Sequence, residues 1–254
     1  MIRKALDNEL NRLYRDLALL GGRVEEIIQD TTTVLREHDL AQARRIFRED
    51  SEIRLEQNHL EQQCVNLIAL QAPLATDLRI VTACLKLVTD VERVADQCSD
   101  ICEILLTYPD LHRLPTPPRI LQMLNRACEM FSRAMASFQT RGLSEEQLAE
   151  AREVIRKDDE VDRLFTETIM ELSQVLASDQ RLISQCTDYM FVAKYVERIA
   201  DHAVNIAEWT VYARTGQHRD MSDKLVGRKA ILQEPSPLQH GDSLDGSPAP
   251  SVQP

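Results

Sequence analysis

The segment APLATDLRIVTACLKLVTDVERVADQCSDI (residues 72–101) reads as one long helix with a fault in its apolar stripe. Leu78, Val81, Leu85 and Val88 recur at spacings of three and four, the period of one helix face. The next two positions on that face hold Glu92 and Asp96. Like charges one turn apart disfavour an isolated helix by ~0.2–0.5 kcal/mol, and burying them unpaired costs several kcal/mol more. A cation must therefore face them.

The fault is repeated. VERVAD (91–96) is echoed by VERIAD (196–201), 105 residues on, and REDSEI (48–53) by RKDDEV (156–161), 108 residues on. Matches in a fixed order, with one small length difference absorbed at a turn, are the trace of an internal duplication. Each copy punctuates itself into three helices. An apolar stripe runs from Leu6 to Val34, interrupted by Gly21-Gly22, which is expected to bend the first helix. Asp39 with Gln42 caps a second helix over about 39–71, and Pro73 starts a third over 73–107. Thr116-Pro117 supplies the N-cap and first residue of a fourth over 117–140, closed by Gly142. Ser144 with Gln147 caps a fifth over 145–177, and Ser178 caps a sixth over 179–214, closed by Gly216.

The fold class is therefore all-α: two tandem three-helix bundles, six long antiparallel helices in all. The first repeat spans 1–110, the second 111–215, and 216–254 is read as a disordered C-terminal tail. Composition agrees. Seven glycines and ten prolines in 254 residues are too few for the turns of a sheet protein, and five prolines and four glycines fall after residue 215. Helix is expected for near 80% of residues 1–214 and almost none of the tail. A net charge of −11 argues against a nucleic-acid backbone as partner. No segment is long and apolar enough to span a bilayer, and MIRKALDNEL is no signal peptide, so a cytoplasmic protein is expected. The six cysteines (64, 84, 98, 102, 128, 186) lie on apolar faces without a CxxC pair and read as reduced core thiols.

The candidate chemistry lies in the repeated acids. On the sixth helix the stripe Leu182, Cys186, Tyr189, Ala193 runs into Glu197 and Asp201. On the fifth, Asp158 falls in the stripe of Val154, Val161 and Phe165, with Asp162 one turn on. In an antiparallel hairpin the two pairs reach the same level. Four carboxylates from two helices form a hard oxygen site suited to magnesium, manganese or iron, with zinc a further candidate. The aligned first-half set is Asp50, Glu92 and Asp96, with Arg54 where the second half has Asp162. Arg54 is placed to reach Glu92 or Asp96 and stand in for the ion. Against metal, acid-rich helix faces are ordinarily solvated, with ion pairs worth ~0–1 kcal/mol. Glu56 and His59 show one ExxH spacing where a di-iron bundle uses two, and no HExxH, glycine-rich phosphate loop or GxSxG occurs. Trp209 and Tyr212 read as core or interface residues, and His202 as a packing residue or ligand.

Residues 72–101, together with AKYVERIADHAVNIAE (193–208), resemble the paired signatures of the PhoU family, accessory regulators of bacterial phosphate uptake. The resemblance covers about residues 1–214. It implies two three-helix bundles with multinuclear metal held at surface carboxylate clusters, mapping onto Glu92/Asp96 with Asp50, and onto Glu197/Asp201 with Asp158/Asp162. The family usually carries Asn or Asp where this chain has Arg54, and often His after the motif's Asp, which His202 keeps and Gln97 does not. It further implies a non-enzymatic negative regulator that contacts the ATPase subunit of the phosphate ABC transporter and a phosphate-sensing histidine kinase. The expected form is a homodimer, associated with the membrane at most peripherally through its partners. The competing readings are a carboxylate-bridged metal enzyme, a phosphoesterase or oxidase, and a purely structural helical adaptor. The first lacks an evident general base, and the second leaves the acids in the stripe without purpose.

Overall fold

The computed structural model describes residues 2–108, 114–138 and 144–216; 93% of these are helical, and no strand forms among them. The six helices are α1 (Ile2–Glu37), α2 (Leu40–Gln71), α3 (Thr76–Thr107), α4 (Pro118–Phe138), α5 (Glu145–Ser178) and α6 (Ile183–Thr215). The expected tail, apart from Gly216, lies outside the described residues, as does Gly142.

Local chemistry sets most of the boundaries. The Asp39 carboxylate accepts from the N–H groups of Ala41 and Gln42, and Ser144 with Gln147 forms a complete capping box. Gly216 ends α6 at φ +75°, the left-handed cap that glycine adopts without strain. α1 runs unbroken through Gly21-Gly22, where Gly21 lets it approach Met135 of α4. Three expectations need correction. Pro73 does not open α3. The turn at 72–75 places Ala72 and Ala75 at positive φ, and the helix begins at Thr76. Thr116 does not cap α4, because its hydroxyl donates to the Leu35 carbonyl at 2.6 Å. Ser178 does not cap α6. Asp179 caps a short 3-10 turn over Gln180–Leu182, from which α6 continues.

Each half packs as a three-helix set, and the sets meet through α3 against α6 and α1 against α4. The six helices form one compact unit. Because α3 and α6 are surrounded, both bury residues on nearly every side, Ile80 to Leu105 on α3 and Cys186 to Ala213 on α6. Leu78 is the exception, exposed although the stripe expected it inside. All six cysteines are free thiols, five of them buried. Burial pushes the Cys64 thiol, and that of Cys102, up to about 12. Trp209 and Tyr212 pack edge to face at 5.7 Å on the rim of the core.

Polar contacts fix how the central helices run. Asp90 on α3 bonds His202 at 2.9 Å and Asn205 at 3.0 Å on α6. Earlier on α3, Arg79 lies against Gly216 just past the end of α6; later on α3, Asp100 feels the charge of Arg198. α3 and α6 are therefore antiparallel. This brings Glu92–Asp96 level with Glu197–Asp201, on either side of the seam between the halves. Across the α4–α5 seam, Arg119, Arg126 and Arg133 stand seven residues apart. They pair with Glu167 and Glu171, with Glu160, and with Glu150. Exposed pairs of this kind add little stability each, and their regular spacing sets helix register.

Candidate functional site

In the first half, α2 and α3 bring Asp50, Arg54, Glu92 and Asp96 together. Arg54 lies 3.3 Å from Asp50, 3.4 Å from Glu92 and 2.9 Å from Asp96. Arg93 takes the second oxygen of each α3 acid, at 3.5 Å from Glu92 and 2.7 Å from Asp96. Glu92 is buried, and Asp50 keeps a buried Oδ1 without a partner. Burial raises the Asp50 carboxyl above the ordinary carboxylate range, and the adjacent Asp96 raises it further. Glu92 is raised by burial and then by Asp96, and Asp100 by burial and then by Asp96 and Glu103. The place a metal ion would take among these acids is filled by the Arg54 guanidinium, so the first cluster does not fit a metal as it stands.

In the second half, Lys194 on α6 donates to Glu197, which is buried, and lies 5.6 Å from the centre of the Phe165 ring on α5. This pairing gives the register of the hairpin. Three residues back along α5 and three on along α6 stand Asp162 and Glu197; one further turn reaches Asp158 and Asp201. The four acids are thus placed at matching levels, with Asp162 exposed and Asp158 and Asp201 half-buried. Among the described residues no three His, Cys, Asp or Glu side chains are drawn together tightly enough to hold a metal ion ready-made. The second half supplies donors of suitable chemistry on two adjacent helices, with Lys194 held at Glu197.

Three participants were not singled out in the sequence. Lys194 stands three residues before Glu197, a spacing that i, i+3 pairing would have flagged. Asp90 and Asp100 act across the seam between the halves, where no local pattern points. His202 is a partner of Asp90, while Glu56 pairs with Arg23 on α1 and the exposed His59 contacts Gln63, so the ExxH spacing forms no site.

The PhoU domain family matches the chain twice, over residues 17–105 and 120–210. The chain belongs to the PhoU family. The two matches coincide with the two halves of the duplication, and each contains one acid cluster. Among PhoU relatives, the phosphate-specific transport system accessory protein PhoU homolog of Clostridium acetobutylicum is 32% identical over 224 residues, covering 88% of this chain and 100% of that protein. The phosphate-specific transport system accessory protein PhoU of Escherichia coli is 28% identical over 233 residues, covering 87% and 92%. The crystal structure of PhoU from Pseudomonas aeruginosa superposes with a TM-score of 0.76 at 26% identity, covering 83% of this chain and 99% of that one. The phosphate transport system regulatory protein PhoU from Streptococcus pneumoniae gives 0.77 at 27%, covering 85% and 99%. Among the described residues no helix is long and apolar enough to cross a membrane.

Proposed function

We propose that this chain is a regulator of phosphate homeostasis that works through protein contacts and not through turnover. It restrains high-affinity phosphate uptake at the ATPase subunit of the phosphate transporter and helps hold a phosphate-sensing histidine kinase off when phosphate is plentiful. It acts in the cytoplasm as a homodimer. The observation that supports this reading best is the double PhoU match, with the acid-rich motifs of both halves beside the central α3–α6 seam. Asp158, Asp162, Glu197 and Asp201 would hold a hard cation, which on binding replaces the Lys194 charge at Glu197 and stiffens the α5–α6 surface offered to a partner.

The test is complementation. Expression in a bacterium lacking its own PhoU should restore repression of a kinase-controlled phosphatase reporter in phosphate-rich medium. The purified chain should bind the transporter ATPase with an affinity that responds to manganese. Failure on both counts, with a manganese-dependent phosphatase or oxidase activity that disappears in Glu197→Gln, would transfer the assignment to the enzyme reading.

A further inference from the structure

We infer that Arg54 is a fixed internal counter-ion that closes the first-half acid cluster to metal, so that cation uptake is confined to the second half. For the second half the inference rests on the metal reading proposed above; for the first it stands on geometry alone. Both oxygens of Glu92 and both of Asp96 are taken by guanidinium groups, one from Arg54 and one from Arg93. Two negative charges on α3 meet two positive ones. Of the three acids, Asp50 is left in excess, and its unpartnered Oδ1 is buried. An incoming ion would have to displace two arginines, not one water shell.

Arg54 is hard to displace for three reasons. It is carried on the wall of the site, so its effective concentration there does not depend on supply. A guanidinium does not lose its proton near neutral pH. It contacts three carboxylates at once, and breaking one contact leaves two.

The second half differs in the aligned residue and in the cation that faces the acids. The residue aligned with Arg54 is Asp162. The cation at Glu197 is Lys194, a point charge on a flexible, half-exposed stem. Arg198, the counterpart of Arg93, lies near Asp100 of the other half. The duplication has therefore diverged into one half neutralised by its own side chain and one with exchangeable charge.

The probe is Mn²⁺ alone, titrated into the full chain, with free ion counted by its paramagnetic resonance and the thermal midpoint read in parallel. The wild type should lose Mn²⁺ equivalents in Asp201→Asn and keep them in Asp96→Asn. Arg54→Asp should melt lower than the wild type in chelator, gain Mn²⁺ equivalents, recover its midpoint as they bind, and lose the gain when Asp96→Asn is added. Arg54→Gln, a milder change that covers the case of a misfolded Arg54→Asp, should also melt lower in chelator. A wild type that loses Mn²⁺ in Asp96→Asn overturns the inference, as do Arg54 variants that change neither the count nor the midpoint. A wild type that binds no Mn²⁺ beside an Arg54→Asp that does upholds the role of Arg54 and removes the second-half metal reading.

Discussion

His202 Nδ1 lies 2.9 Å from Asp90 Oδ1, joining α6 of one half to α3 of the other, and Asn205 adds a second bond to the same oxygen. Asp90 and His202 are both largely buried, so the carboxylate depends on these partners for the solvation it has lost. Asp90→Ala leaves two donors unpaired and should lower stability by ~1–3 kcal/mol. His202→Gln keeps a donor on the same helix face and should cost less, as measured by urea unfolding. An Asp90→Ala variant that unfolds like the wild type would show that this contact does not hold the halves together.

Asp50 yields a pH prediction. Its carboxyl is raised, first by burial and then by Asp96, so the folded chain binds its proton more tightly than the unfolded chain does. The associated stability is complete below the ordinary carboxylate pKa and is lost as pH rises through the raised value. Asp50→Asn removes the charge and should raise the thermal midpoint at pH 7. The gain should shrink towards zero below about pH 4, where the wild-type carboxyl is protonated as well. A lower midpoint at pH 7 would mean that the Arg54–Asp50 contact outweighs the burial of Asp50.

Features that depend on neighbours in sequence were legible. Helix count, the Ser144–Gln147 box and the Gly216 cap follow from periodicity and from side chains acting within one turn. The reach of Arg54 to Glu92 and Asp96 was legible because the duplication supplies an internal alignment. What failed depended on competition at a distance. Thr116 has the character of an N-cap, yet the Leu35 carbonyl, far away in sequence, takes its hydroxyl. Leu78 fits the stripe, but α3 is central only from Ile80 onward, so the stripe runs past the end of its cover. Asp90 carried no signal because its partners belong to the other half.

Tyr189 is the largest fully buried side chain, and its hydroxyl meets the Leu114 carbonyl and the Thr116 hydroxyl, each at 3.0 Å. Thr116 in turn bonds Leu35 near the end of α1. One chain of hydrogen bonds thus ties α6, the segment before α4 and α1. Tyr189→Phe keeps the ring and removes the centre of that chain, which should cost ~1–3 kcal/mol, chiefly through the Leu114 carbonyl left without its donor. Thr116→Val, which removes the link to Leu35, should cost a similar amount, and the double variant less than the sum. Additive losses in urea unfolding would show two independent bonds and no network.

The neighbouring glycines of α1 separate helix propensity from packing. Both sit inside a continuous helix, where replacing Gly by Ala gains ~0.5–1 kcal/mol if nothing obstructs the new methyl group. At Gly22 an added Cβ meets no atom within 4 Å, so Gly22→Ala should raise stability by about that amount. At Gly21 the same Cβ would stand 2.5 Å from the terminal methyl of Met135 on α4. That methyl is the end of a flexible side chain and can swing aside, but it sits in the core against α1, where displacement has a cost. Gly21→Ala should therefore gain less than Gly22→Ala or lose stability. Pairing it with Met135→Ala, which opens the space, should recover the propensity gain relative to Met135→Ala alone. Thermal melts of the four variants decide the matter. Equal gains at positions 21 and 22 would mean that α1 and α4 do not approach as closely as Gly21 allows.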